Sequence, residues 1–217
     1  MPNWCRNTMI VDKKYHDLII NKEGEVDFNV ILPMPEELEV QCGGFNSRDI
    51  YMYLSKKNSV AHSAVLEMPQ AKAMAERLFT RSLEKEAEQA LKEVMDLIAK
   101  NNNSTVSKEV NNSYNEGKKL VNNYINYGCT TWYEWRCRTW GTKWNAHTSR
   151  VSDKEIVFHT PWGPPAGWLD KLASKGVPFA LNWSEEGGTF GELKSDGKTI
   201  TETNSGCLFD DEEDEYE

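Results

Sequence analysis

The chain has no Cys-x-x-Cys pair, no Gly-x-Ser-x-Gly elbow, no P-loop and no dinucleotide fingerprint. It therefore lacks the close ligand pairs of structural metal sites and the loops that cradle phosphates or present a strained serine. No apolar stretch reaches the roughly 18 residues of a membrane span. Residues 1–20 lack a basic stretch followed by an unbroken apolar core, so no export signal is expected. The five cysteines, Cys5, Cys42, Cys129, Cys137 and Cys207, are odd in number and scattered. Free thiols without such a signal point to a reducing cytosol. A basic excess is also missing: 25 Lys and Arg stand against 34 Asp and Glu, a net charge of −9. Strong non-specific binding to nucleic acid, which needs a basic footprint, is not expected.

What is present is enough for a folded protein. A chain of 217 residues can bury roughly 70% of its unfolded surface without a disulfide or metal staple. The acidity is concentrated: seven of the last nine residues are carboxylates, which leaves about −2 for the rest. The expected organisation is one α+β domain over 1–208 and a disordered acidic tail over 209–217.

Hydrophobic patterning places the elements. Residues 4–11 read as a first strand, and Val26–Leu32 as a short extended run ended by Pro33 and Pro35. Glu36–Val40 suits one helical turn and Arg48–Leu54 a short helix. Pro69 to about Asn101 carries apolar residues three and four apart and predicts a long helix. The Asn- and Ser-rich stretch 101–117 predicts a surface loop. Helices follow at Lys118–Tyr127 and Thr131–Arg138, with Gly141 beyond the second. Trp144–Arg150 and Lys154–Thr160 predict a hairpin, Ala166–Lys175 a helix closed by Gly176, and Phe179–Ser184, Thr189–Lys194 and Lys198–Thr203 three strands. Strand, helices, strand, strand, helix, strand is the split βαβ order of a ferredoxin-like antiparallel sheet. Its core is drawn from 1–15 and 128–203, with a mainly helical insertion over about 36–127.

Several strings then carry a family resemblance. The chain opens Met1-Pro2-Asn3-Trp4-Cys5 with Asn7, and continues with Phe28-Asn29-Val30-Ile31-Leu32-Pro33-Met34-Pro35-Glu36. Later come Trp140-Gly141-Thr142-Lys143-Trp144-Asn145-Ala146, Phe158-His159-Thr160-Pro161-Trp162, Pro164-Pro165, Glu185-Glu186-Gly187 and Phe190-Gly191. Together they resemble the Api-type phage and plasmid proteins with a ferredoxin-like domain. The resemblance implies a fold and a mobile-element setting. It carries over no catalytic residue, and the stretch 40–120 does not share it.

Candidate sites follow, each beside a structural reading. Trp132, Tyr133, Trp135, Trp140 and Trp144 interleave with Arg136, Arg138 and Lys143, the combination that stacks bases and meets phosphates. Tryptophans at helical spacing are also ordinary core residues. Asn3, Asn7 and Asn145 read as buried amides tying backbone groups. His147 and His159 face each other across the predicted hairpin, short of the third ligand a metal needs. Glu185 and Glu186 read as turn residues rather than a shared acid pair, because neighbours on a strand point to opposite faces. The tail residues Asp210, Asp211, Glu212, Glu213, Asp214 and Glu215 read as a solvated end or as a contact for a basic partner. With no nucleophile, base and orienting group together, no catalytic residue, metal or cofactor is expected. The leading expectation is an accessory protein that binds a host protein, of anti-CRISPR or anti-restriction type. A binder or sponge of a nucleotide-like small molecule comes second, and an enzyme with a dispersed site third.

Overall fold

The computed structural model describes residues 3–43, 49–50, 53 and 104–208, with the backbone alone for 104–110. The expected helix over Pro69–Asn101 and the acidic tail, including 210–215, lie outside the described residues. The expected helix Arg48–Leu54 is helical at the three positions described, Asp49, Ile50 and Tyr53. The chain divides into two units, Met1–Met34 with Arg136–Glu217, and Pro35–Trp135. No helix among the described residues is long and apolar enough to cross a membrane.

The first unit holds one antiparallel sheet. Its strands are β1 (Trp4–Ile10), β2 (His147–Val151), β3 (Glu155–Pro161), β4 (Pro178–Glu185), β5 (Thr189–Asp196) and β6 (Ile200–Cys207). They lie in the order β2-β3-β1-β4-β5-β6. The first four, with helices between β1 and β2 and α3 (Ala166–Ser174) between β3 and β4, make the ferredoxin-like arrangement. β5 and β6 extend it by hairpins beyond β4. The fold class is α+β, as the element order predicts.

Period-two patterning builds β1. Cys5, Asn7 and Met9 are fully buried, while between them Arg6 is exposed and Thr8 half-buried, and Ile10 beyond them is exposed. The buried face meets Phe158, Leu181 and an aromatic cluster in which Phe28 lies 5.6 Å from Trp140, 6.1 Å from Phe158 and 4.9 Å from Trp168. The Trp140 indole donates from Nε1 to Leu32 O at 2.9 Å, so its polar end is satisfied. Asn7 sits at 0% exposure in the central strand. Its Nδ2 donates to Thr160 Oγ1 (2.8 Å), Cys5 O (3.1 Å) and Phe158 O (3.4 Å). Thr160 Oγ1 in turn donates to Gly163 O at 2.6 Å. Asn7 thus anchors the turn after β3, as a buried amide must if it is not to stay unsatisfied.

One expected element takes a different form. Val26–Leu32 is not a strand: Phe28–Val30 is a 3-10 turn, preceded by an isolated bridge between Ile20 and Val26. Side chains satisfy the backbone here. Asp27 Oδ1 accepts from Asn29 N (2.9 Å) and Asn145 Nδ2 (2.7 Å), and Asn145 Oδ1 accepts from Phe28 N (2.9 Å). Such local Asx bonds compete with a ladder, and the turn drives Phe28 into the core.

The second unit is helical. The α1 helix runs over Ser104–Tyr127, so the expected loop at 101–117 is overturned from Ser104 onward. Composition obscured the period: Val106, Val110, Tyr114, Gly117, Val121 and Tyr124 recur three and four apart, and asparagines fill the other face. Leu120 and Val121 pack with Ile50 and Tyr53 as a small core. Asn123 Nδ2 donates to Glu37 O (2.7 Å) and Thr130 O (3.1 Å). Glu36–Leu38 forms the single turn expected there. The α2 helix, Trp132–Thr139, follows α1 and crosses the division between the units. Beyond it Gly141 has φ +81, and a Cβ there would lie 2.7 Å from Ala166 N, so glycine is required on both counts.

Two predictions follow from these contacts. β1 lies between β3 and β4, so residues 136–217 produced without residues 1–34 have a sheet in two pieces. That fragment is expected to show no cooperative thermal transition, and co-expression with residues 1–34 to restore one; a fragment that melts cooperatively alone contradicts the central role of β1. At Gly117, a Cβ would lie 1.9 Å from Asp49 O. The helix-propensity gain of Gly117→Ala, about 1 kcal/mol, is opposed by an overpacking cost of about 1–3 kcal/mol against backbone. Urea unfolding should place G117A below wild type and Asn122→Ala, at an exposed helical position, at or slightly above it.

Candidate ligand-binding site

One end of the sheet gathers aromatic rings and a cation. Trp4 opens β1. Its N–H donates to Glu186 Oε2 (2.9 Å), and its carbonyl accepts from Glu186 N (3.1 Å). β2 begins at this end with His147, which pairs with His159 across β3. The register shifts between His147 and Arg150, where Thr148 has φ 49. Such bulges re-aim side chains, and the His147 ring stacks on Trp4 at 5.1 Å and 24°. Trp144 lies 5.9 Å from Trp4 at 37°, and Lys143 Nζ sits 4.1 Å over the Trp144 ring. Lys143, Trp144, Trp4 and His147 therefore form a column with His147 exposed at its end.

Beside it is Trp162, 61% exposed and at φ +73. A left-handed bulky residue costs about 1–2 kcal/mol. Its N–H donates to Asn3 O at 2.9 Å, and the Asn7–Thr160–Gly163 chain holds the same turn. The adjacent carboxylates are engaged by backbone: Glu185 Oε2 accepts from Gly187 N at 2.7 Å, and Glu186 caps the start of β1. They flank the turn and do not form an acid pair.

The chemistry open to this end is stacking and ion pairing. Burial, with the Glu185 charge adding to it, pushes the Cys5 thiol up to about 12, so Cys5 stays protonated and unreactive. No group of three His, Cys, Asp or Glu that would hold a metal occurs among the described residues. An open groove of about 640 Å³ lies at the opposite end of β1, around Ile10, Val11 and Phe179. Lys13 and Asp153 on its rim pair with each other at 2.8 Å.

The segment 132–144 is divided by the fold. Trp135 and Trp140 are buried core side chains. Arg136 lies over the Trp140 ring at 5.1 Å. Trp132 meets Tyr133 edge-on at 5.8 Å, and Arg138 is exposed. Only Lys143 and Trp144 join the column, and their partners Trp4 and His147 come from elsewhere in the chain. Asn7 and Asn145 have the backbone-tying roles expected of them.

Comparisons with known proteins bear on the fold. No curated protein matches the chain. Among solved structures, a protein api92 from Yersinia pseudotuberculosis matches at 11% identity, over 96% of this chain and 100% of that one, with a TM-score of 0.39. Residues 139–217, which supply every strand but β1, match a family model described as the ferredoxin-like domain in Api92-like protein, and it is to that family that this part of the chain is similar.

Proposed function

We propose that the protein binds a nucleotide-class ligand, one with a flat base and at least one phosphate, at the end of the sheet where Trp4 lies. The observation that carries this reading is the column of Lys143, Trp144, Trp4 and His147, with exposed Trp162 beside it. A base stacks at the exposed His147 end of the column or on Trp162, and Lys143 supplies charge for a phosphate. The near-neutral body agrees with a ligand of few charges.

Calorimetric titration of the full chain with mono- and dinucleotides tests it. At least one is expected to bind, and Trp4→Leu to weaken binding roughly tenfold, as the loss of one stacking partner should. A full panel without measurable heat, and without any shift in melting temperature, contradicts the reading.

A second reading is a protein partner, and β6 favours it. Every residue of this edge strand is half-buried or exposed, and an open edge can accept another strand. The resemblance to phage and plasmid proteins suggests a host protein as partner, including a component of a defence system. Affinity capture from an infected bacterial host should then recover one defined partner, lost when Thr201 and Thr203 are both changed to Lys. Capture that is absent, or unchanged in that variant, counts against it.

A further inference from the structure

Strand register sets one row of side chains across the sheet on the face opposite the core. The row runs His147, His159, Arg6, Ser184, Phe190, Gly206. Cys5 and Asn7, the neighbours of Arg6 in β1, are fully buried on the other face. Arg6 and Ser184 are exposed. The row contains no carboxylate. Arg6 stands directly opposite His159 on one side and Ser184 on the other, so its permanently charged guanidinium faces no carboxylate across either neighbouring strand. No carboxylate pairs with Arg6 among the described residues. The carboxylates of the adjoining rows are engaged elsewhere: Glu186, beside Trp4, accepts from Trp4 N (2.9 Å), and Glu192 contacts Thr203 (2.7 Å) and Lys194 (3.1 Å).

The far part of the row has its own platform. A Cβ on Gly206 would lie 3.0 Å from Phe190 Cζ and 3.4 Å from Cε1. The Phe190 ring therefore covers the bare backbone of Gly206, and it is half-buried with part of its surface open. Aromatic surfaces thus stand at both ends of the row, Trp4 with His147 at one and Phe190 at the other, and Arg6 stands between them. Neighbouring strands are about 4.8 Å apart, so the track from β2 to β5 is roughly 19 Å long, too long for one nucleotide.

We infer that this face binds single-stranded nucleic acid, with bases stacked at the Trp4–His147 and Phe190 ends and a backbone phosphate on Arg6. The inference rests on the nucleotide reading above and extends it from one base to a strand. Alternating aromatic and cationic groups on an open sheet suit a single strand, whose bases are free to stack. The small number of cations makes binding stacking-dominated. With Arg6 and Lys143 as the phosphate contacts, log affinity should fall against log salt with a slope of about −1.4.

The test is fluorescence anisotropy of the full chain with labelled hexathymidylate and hexauridylate, alongside calorimetry with the corresponding mononucleotides. At least one hexamer should bind tenfold or more tightly than its mononucleotide, and the stronger hexamer tells DNA from RNA. Arg6→Ala and Phe190→Leu, with melting temperatures near wild type, should each weaken the hexamer at least fivefold and leave the mononucleotide unchanged. Equal affinities for hexamer and mononucleotide, or unaltered hexamer binding in both variants, overturn the track and leave the single-nucleotide site standing. Failure of both hexamers and mononucleotides to bind removes the nucleotide reading itself.

Discussion

The hydrogen bond between Asn7 and Thr160 is the contact on which the rest of the sheet depends. Both sides of β1 are paired, and its partners lie about 150 residues further along the chain. No local turn sets its register. A slip of one residue would turn Cys5 and Met9 to water and Arg6 into the core. The Asn7 amide makes that slip more costly, because only the observed register places Thr160 Oγ1 2.8 Å from it. A buried amide left unpaired costs about 1–3 kcal/mol, comparable to a good part of a domain's margin of stability. The same bond fixes Thr160 against Gly163 and so holds the turn that presents Trp162.

The long segment between β1 and β2 is compatible with this design. Closing a longer flexible loop adds only about 0.6 kcal/mol per doubling of length. That cost is modest, and Pro35–Trp135 also has contacts of its own, among them the packing of Ile50 and Tyr53 against Leu120 and Val121. The sheet therefore tolerates the insertion between its central strand and the hairpin that completes it.

The C-terminal half was largely legible in the sequence. Its strands alternate clearly, and its turns carry glycine where the backbone reverses, as at Gly187-Gly188. The ferredoxin-like order followed from the succession of elements alone. Two places misled. Asparagine content suggested a loop at 101–117, whereas the apolar spacing through Tyr114, Gly117 and Val121 belonged to a helix. The apolar run Val26–Leu32 suggested a strand, whereas Asp27 and Asn145 satisfied its backbone from the side. The site was less legible. Trp144 and Lys143 stood out by composition, but Trp4 and His147 join them only through strand register, which spacing along the chain does not reveal. Phe190 over Gly206 is a relation of the same kind.

Net charge and the proposed ligand are compatible for a physical reason. A protein that grips nucleic acid mainly by its phosphates needs many cations, and this chain, at −9, has no such excess. Stacking needs none. Each base–aromatic contact is worth about 1–3 kcal/mol, so two platforms account for more binding than two phosphate contacts at ordinary salt. What the charges then supply is position. Arg6, held outward by the register that buries Asn7, would place one phosphate of the proposed ligand between the platforms. The residue that locks the fold and the residue that would locate the ligand are thus neighbours on one strand, set by a single alternation.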